Sequence, residues 1–262
     1  MMERKYGFND LVELMVKLRG PGGCAWDREQ DHGSLKRYLL EETYEVLEAI
    51  DLNDKGMIQE ELGDVLLQVV FHAQVASEEN AFDIDDVVDG ICRKIISRHT
   101  HVFGEDKAET PEEVLKNWNR IKYEEKKISS HTAGIKSIPK NFPALFRSMK
   151  IQEKAARAGF DWDDRQGPVE KIKEEIEEFL HAYDQKDGKS VEEEFGDILF
   201  SLVNLSRFLK INPELALEKT MNKFIRRFSF IEEECLREGL EMENMSLSQL
   251  DVLWEKSKEK DQ

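Results

Sequence analysis

The chain has 262 residues, 40% of them hydrophobic and 35% charged, so it has apolar side chains for a core and length for two modest domains. Its formal net charge of -17 argues against nucleic acid or an anionic membrane surface as the main partner, since both would repel it. No run approaches 18 apolar residues, and the three cysteines show no zinc or CxxC spacing. We therefore expect a soluble, cytoplasmic protein with no membrane association.

Taken in chain order, the apolar periodicity predicts one helix after another and no alternating strand, which indicates an all-α fold. The predicted helices span residues 8–18, 34–52, 56–77, 85–99, 111–127, 143–158, 168–185, 190–210, 213–237 and 246–258. Asp83 and Asn212 are predicted to cap the helices that follow them, with Pro213 at a first helical position. Segment 126–144 is rich in Ser, Gly and Pro and is predicted to link a domain of residues 1–125 to one of residues 145–262.

An acidic motif occurs twice in this chain. Glu41–Glu45 reads EETYE and is followed sixteen residues later by Glu61–Asp64, and the pattern returns at Glu174–Glu178 and Glu194–Asp197 with an offset of 133 (174 minus 41, 194 minus 61). Helical spacing puts these acids on facing sides of adjacent helices, where their repulsion calls for a cation. Oxygen ligands favour Mg²⁺, Mn²⁺ or Ca²⁺ over zinc, and Mg²⁺ leaves positions for substrate phosphates. A solvated acidic helix face is the plain alternative, but apolar residues surround these acids.

The repeat extends to basic and aromatic positions. Lys94 and Arg98 recur as Lys223 and Arg227, and Trp118 and Lys122 recur as Trp254 and Lys258. A Lys and an Arg on one helical face suit phosphate oxygens, and a Trp can stack on a base. Duplication also copies structural residues, so the recurrence favours a binding role without requiring one.

The two halves differ at one polar position. Asn204 can hydrogen-bond a sugar or a base, whereas Phe71 at the corresponding place cannot, which slightly favours the second half as the active site. The segment Arg98–Phe103, in contrast, is present in the first half only. Either half can therefore carry the active site. In the alternative, one half serves chiefly for dimerisation and has its acids only by inheritance.

Six segments together resemble the MazG family of nucleoside triphosphate pyrophosphohydrolases over nearly the whole chain. They read LRGPGGCAWDREQDHGSL, LLEETYEVLEAI, EELGDVLLQVVFHAQVA, SRHTHVFG, KIQEKAARAGFDW and EEEFGDILFSLVNLSR. The resemblance implies two tandem MazG-like helical domains, a homodimer, and Mg²⁺-dependent hydrolysis of ribo- and deoxyribonucleoside triphosphates, ATP included, to the monophosphate and pyrophosphate. Mn²⁺ is the expected substitute. We also predict broad base specificity and a housekeeping role in the nucleotide pool.

The resemblance also implies roles for individual residues. The metal ligands are Glu42, Glu45, Glu61 and Asp64 in the first half and Glu175, Glu178, Glu194 and Asp197 in the second. Glu41 and Glu174 hold or deprotonate the attacking water. The recurring Lys, Arg and Trp residues contact the nucleotide, and Asn204 is a further candidate contact in the second half.

Two other functional classes remain as alternatives. Glu178–His181 is an ExxH motif of the kind that holds iron in di-iron helical bundles, although its counterpart Glu45–Glu48 has no His. The other alternative is a non-catalytic helical module whose acidic face docks a basic partner.

Overall fold

The computed structural model describes residues 4–125 and 130–260 of the chain. Every regular element in those two ranges is a helix. The chain divides into two compact units, Met1–Lys126 and Lys127–Gln262. The prediction of an all-α protein made of two tandem helical domains is therefore confirmed. None of the helices in the described ranges has both the length and the apolar character that crossing a bilayer requires.

The first unit is built around a hairpin of two long helices, α3 (His32–Asp51) and α4 (Lys55–Glu78). The helices before and after the hairpin are α1 (Phe8–Arg19), α2 (Ala25–Glu29), α5 (Ile84–Arg98), α6 (Thr100–Phe103) and α7 (Pro111–Glu125). Helix α1 packs along α4, and α7 packs against α5. Met15 of α1, Leu35 of α3 and Val70 of α4 are almost fully buried together, so the apolar faces of these three helices form the core.

The second unit repeats this plan. Its hairpin consists of α10 (Gln166–Asp184) and α11 (Gly188–Phe208). The other elements are α8 (His131–Lys136), α9 (Ala144–Arg157), α12 (Pro213–Glu238), a 3₁₀ turn (Met242–Asn244) and α13 (Leu247–Lys260). Helix α9 packs against α11 as α1 does against α4, and α13 packs against α12 as α7 does against α5. Ile231, Cys235 and Leu253 form a core between α12 and α13.

All ten predicted helices are present, and every boundary that lies in the described residues is within two residues of its prediction. The predicted end of the fifth helix, at residues 126 and 127, lies outside those residues. Both predicted caps are confirmed: the carboxylate of Asp83 accepts from the backbone nitrogen of Asp86 at 3.0 Å, and Asn212 Oδ1 accepts from that of Glu214 at 3.0 Å. Sequence reasoning missed the short helices α2, α6 and α8.

The connections differ from the prediction at two places. Residues 126–129 of the predicted linker lie outside the described residues, but α8 and the buried Ile138 belong to the second unit. The Ser and Gly content of segment 126–144 indicated a linker. In the structure, however, Ser130 caps α8 by accepting from the backbone nitrogen of Ala133 at 3.1 Å. The repeat offset is 133 at the acids but 129 at the caps Asp83 and Asn212 (212 minus 83), so the sequence predicts a longer loop by four residues after the first hairpin. Most of these residues extend the helix instead, because α4 has 24 residues and α11 has 21.

The turns of the two hairpins share one geometry. Asn53 and Lys186 both have left-handed backbone conformations, with φ of 53° and 56°. The residue after each of them caps the next helix: Asp54 Oδ1 accepts from the backbone nitrogen of Gly56 at 2.8 Å, and Asp187 Oδ1 from that of Lys189 at 3.2 Å. A connection this short makes the two helices antiparallel. Side chains at equal distances from the turn therefore lie beside each other.

Candidate metal centres

The predicted metal ligands lie at matching heights on the two helices of each hairpin. Glu45 is six residues before the end of α3, and Glu61 is six residues after the start of α4. At about 1.5 Å per residue, both lie roughly 9 Å from the turn along the helix axes. Glu178 and Glu194 have the same spacing in α10 and α11. Helical rise and a short turn are therefore enough to bring acids from the two helices together.

In the first unit, carboxylate oxygens of Glu42, Glu45 and Glu61 lie within 4.8 Å of one another. Burial raises the pKa of the Glu42 carboxyl, and a hydrogen bond with Glu45 and the charge of Asp64 raise it further. Burial and then the charge of Glu45 raise the pKa of Glu61. The fourth predicted ligand, Asp64, lies outside the tight group, but its charge acts on both residues. A cation between these carboxylates would relieve their repulsion.

In the second unit, the tight group consists of Glu175, Glu194 and Asp197, again with carboxylate oxygens within 4.8 Å of one another. Burial raises the pKa of Glu194, and the charge of Glu178 is the next cause, so this fourth predicted ligand also lies nearby. Glu175 is only 5% exposed. A buried carboxylate requires a partner, and here one is provided by the chain itself.

That partner is Lys171, one helical turn before the acids on α10. Its ammonium group donates to Glu175 Oε1 at 2.7 Å and to Glu174 Oε1 at 2.8 Å. The hydrogen bonds to Glu174 and Glu175 hold the pKa of Lys171 above its ordinary value, so the group stays charged. Sequence reasoning missed this residue, although its spacing of three and four residues from the two acids is that of helical ion pairs.

A cavity of about 590 Å³ opens beside the second group of acids. Its lining includes Glu174, Glu178, Glu194 and His181. Glu174, one of the two residues predicted to hold the attacking water, therefore faces the same space as two predicted metal ligands. Its counterpart Glu41 is an exposed residue whose charge acts on the pKa of Glu42. Because the lining is acidic, an anionic substrate needs cations there before it can bind.

Two of the predicted nucleotide contacts, one Arg and one Trp, lie together in each unit. The Arg98 guanidinium lies 5.2 Å from the ring centre of Trp118, and that of Arg227 lies 5.6 Å from Trp254. The helices that carry these pairs, α5 with α7 and α12 with α13, pack together in both units. The sequence placed these residues in one functional set but did not predict the stacking of Arg on Trp.

Several of these basic residues have partners of their own. Arg98 is buried, and its Nε donates to Glu125 Oε2 at 2.9 Å. Hydrogen bonds from Arg98 and Ser97, and then charges that include Lys94, lower the pKa of Glu125. Lys258 pairs with Glu255 at 2.5 Å. Lys122 is half-buried on α7, and Lys223 is exposed on α12.

Asn204 also has a structural partner. Its Oδ1 accepts from Arg207 Nε at 3.0 Å, and Arg207 pairs with Asp161 at 2.6 Å. Phe71, at the corresponding position of the first unit, is buried in the core. The difference between Asn204 and Phe71 seen in the sequence is therefore a difference in packing. A sugar or base contact by Asn204 stays a prediction.

Comparison with known proteins assigns the chain to a family. The profile of the MazG nucleotide pyrophosphohydrolase domain matches residues 30–103 and 166–229, that is, each acidic hairpin with the helix after it. The chain belongs to the MazG family. It is 50% identical over 260 residues to the nucleoside triphosphate pyrophosphohydrolase/pyrophosphatase MazG of Thermotoga maritima, covering 98% of both chains.

Two further relatives, one of them an uncharacterized protein, show how far along the chain the similarity extends. The nucleoside triphosphate pyrophosphohydrolase of Escherichia coli K12 is 43% identical over 251 residues, which are 95% of each chain. YabN of Bacillus subtilis is 48% identical over 253 residues, which are 96% of this chain and 52% of YabN. Membership of the MazG family weighs against the di-iron alternative. The acid groups found in the described residues also contain no His.

Proposed function

We propose that this chain hydrolyses nucleoside triphosphates to the monophosphate and pyrophosphate with Mg²⁺ held by its acidic hairpins, and that Mn²⁺ can substitute. The reaction class follows from the family, since relatives named as nucleoside triphosphate pyrophosphohydrolases match nearly the whole chain. The observation that carries the metal requirement is the convergence of three carboxylates within 4.8 Å in each unit. Burial, and then neighbouring carboxylates, raise the pKa of Glu42 and of Glu194, and a divalent ion would relieve the repulsion between these carboxylates. Such oxygen-only donor sets suit Mg²⁺ and Mn²⁺.

The roles of the residues follow from their positions. Two carboxylates from each helix of a hairpin hold the ions: Glu42, Glu45, Glu61 and Asp64 in the first unit, and Glu175, Glu178, Glu194 and Asp197 in the second. When bound, Mg²⁺ makes water more acidic and neutralises charge on the phosphates and on the pyrophosphate leaving group. Glu41 and Glu174 orient the attacking water from the edge of each acid group. Exposed basic residues such as Lys223 attract the triphosphate towards an acidic surface.

We further propose weak discrimination among bases. Trp118 and Trp254 present half-buried rings with an Arg stacked on each, and every base has a π face that can stack on such a ring. The metal-binding acids and the basic residues recognise the phosphates, which all triphosphates share. This arrangement suits a housekeeping role in the nucleotide pool. Cys24, Cys92 and Cys235 are free thiols, which supports a cytoplasmic location.

Exposed apolar stripes on the hairpins support a homodimer. Leu62, Leu66 and Val69 lie at helical spacing on α4 and are all exposed. Phe195, Leu199 and Leu202 occupy the corresponding positions of α11 and are exposed as well. A second copy that covers these stripes would remove their apolar side chains from water.

Pyrophosphate release from a panel of ribo- and deoxyribonucleoside triphosphates tests the proposed reaction. We expect release with Mg²⁺ or Mn²⁺ for every base, at rates within about tenfold of one another, and none with a chelator. Release of orthophosphate alone, or turnover that persists in the chelator, would reject the proposal. Sedimentation equilibrium tests the homodimer separately, and a monomer at micromolar concentration would contradict it.

A further inference from the structure

The two acid groups differ in the residue that stands one helical turn before them. In the second unit this residue is Lys171, whose ammonium group contacts Glu174 and Glu175 at 2.8 and 2.7 Å. The repeat offset of 133 puts Tyr38 at this position in the first unit (171 minus 133). The Tyr38 ring packs edge-on to Trp26 at 5.7 Å and against the core of the unit. A positive charge is therefore present in the second hairpin and replaced by an aromatic ring in the first.

The nearest basic residue on α3 does not fill this gap. The Arg37 guanidinium lies 4.4 Å from the ring centre of Tyr38 and donates to its hydroxyl group. The neighbours that act most strongly on Glu42 and Glu61 are other carboxylates. Without an added ion, the carboxylates of the first group thus repel one another, whereas Lys171 already partly neutralises those of the second group.

The side chain of Lys171 is also well placed to resist a second cation. It is 34% exposed, and the side chain of Glu175 beneath it is 6% exposed, so the contact is screened less than a surface ion pair. A divalent ion that takes Glu175 as a ligand must displace the ammonium group from Glu175 Oε1 and then remain near it. Displacing the ammonium group and keeping two cations close together both oppose ion uptake. Neither applies to the first hairpin, where Tyr38 stands in place of Lys171.

We propose that Lys171 is a built-in counter-cation of the second hairpin, so that this hairpin takes up free divalent ions more weakly than the first. The inference rests on the proposed function, because it assumes that both hairpins bind such ions. It makes Lys171 a positioning residue that sets the order of ion loading in the two halves. The first hairpin fills at low ion concentration, and the second requires a higher one.

The test is Mn²⁺ binding to the full-length chain without nucleotide, followed by electron paramagnetic resonance of the free ion. Glu42→Gln with Glu61→Gln leaves the second hairpin as the remaining site, and Glu175→Gln with Glu194→Gln leaves the first. We expect the second hairpin alone to bind more weakly. In that background Lys171→Gln should tighten binding about tenfold, because two unit charges 4 Å apart already change an equilibrium several-fold in water and the ion carries two.

Two matched controls separate charge from structure. Lys171→Arg keeps the positive charge and should leave the Mn²⁺ affinity near that of its parent. Lys173→Gln removes the same net charge from an exposed residue of α10 that pairs with Glu170 at 3.0 Å, and it should also change little. If Lys171→Gln leaves the affinity unchanged or weakens it, or if Lys173→Gln tightens it equally, the inference is overturned.

A reciprocal substitution and the unmodified chain complete the experiment. Tyr38→Lys in the background with only the first hairpin should weaken Mn²⁺ binding there. Because Tyr38 contacts the core, circular dichroism must show that this variant is folded, and the Lys171 variants decide the question if it is not. Wild type that takes up no Mn²⁺ at either hairpin would reject the proposed function itself. Uptake of equal affinity at both hairpins, unaffected by Lys171→Gln, would reject the inference alone.

Discussion

The two units have the same acid positions and the same hairpin turn, but different side chains surround them. In the first unit, Trp26 lies edge-on to both Tyr38 and Phe71, so an aromatic cluster flanks the hairpin. In the second unit, the residues that replace Tyr38 and Phe71 are Lys171 and Asn204, and both make polar contacts. The hairpin backbone therefore brings acids together in both copies, although Glu45 completes the tight group in the first unit and Asp197 in the second, and the supporting contacts are aromatic in the first unit and polar in the second.

The segment before each hairpin shows the same divergence. In the first unit, Arg19 of α1 is 5% exposed and holds this segment by donating to the carbonyl oxygens of Asp27 and Gln30 and to both carboxylate oxygens of Glu78. In the second unit, the corresponding segment is held from α11, where Arg207 pairs with Asp161. An Arg from a different helix in each unit thus holds the segment before the hairpin. We therefore expect that each hairpin can be destabilised without affecting the other.

The largest expected effect tests what the units share. Replacing Glu42, Glu61, Glu175 and Glu194 with Gln keeps the side-chain shape but removes two ligand charges from each hairpin. We expect complete loss of pyrophosphate release and of Mg²⁺ uptake by calorimetry, with unchanged helix content. Glu48→Gln with Glu192→Gln, two exposed acids of α3 and α11 outside the groups, should keep both. Activity retained by the four-substitution variant would place the chemistry elsewhere in the molecule.

An intermediate effect tests how the units differ. Arg19→Met keeps the apolar stem but removes the hydrogen bonds from Arg19 to Glu78 and to the carbonyl oxygens of Asp27 and Gln30, so we expect the first unit to lose about 3 kcal/mol of stability. Arg207→Met removes fewer contacts and should destabilise the second unit by about 2 kcal/mol. Hydrogen exchange of the full chain measures both, and each loss of protection should be confined to its own unit.

Arg93→Met provides a control for that experiment, because Arg93 forms an exposed pair with Asp89 one turn away on α5. Its loss should change stability by less than about 0.5 kcal/mol. Equal loss of protection in both units from Arg19→Met would contradict independent support of the hairpins.

How far the sequence predicts this molecule depends on the distance between interacting residues. The ten longer helices, their caps and the acid groups follow from patterns only a few residues long, or from the repeat, and the helix ends within the described residues lie within two residues of their predictions. The contact of Lys171 with Glu174 and Glu175 is equally local and was within reach of sequence reasoning.

Contacts between distant residues were not predictable in this way. Arg19 and Glu78 are 59 residues apart, and Arg98 and Glu125 are 27 apart, so no local spacing reveals either pair. The structure pairs Arg98 with Glu125, which the sequence did not reveal, and a nucleotide contact by Arg98 stays a prediction. Segment 130–144 was misread for a similar reason. Its composition indicates a linker, but its contacts with α9 make it part of the second unit.

The smallest expected effect concerns the repulsion within the first group of acids. The pKa of Glu42 is raised in the folded chain, chiefly by burial and then by neighbouring carboxylates. Between its unfolded value near 4.5 and the raised folded value, the folded state binds more protons than the unfolded state. The free energy of unfolding therefore falls as pH rises through that window, and below the window this loss of stability from Glu42 is absent.

Glu42→Gln removes this pH-dependent loss. Without metal, we expect the variant to be more stable than wild type at pH 7, by about 0.5 kcal/mol, which is the size of a like-charge pair at helical spacing, and similar to wild type near pH 4. Urea unfolding in a chelator at the two pH values measures this, with Glu48→Gln as the control for losing one charge on the same helix. Added Mg²⁺ should reverse the order at pH 7, because wild type gains binding energy that the variant lacks. A variant that is less stable than wild type in the chelator would mean that Glu42 has a stabilising partner and that the acids do not repel.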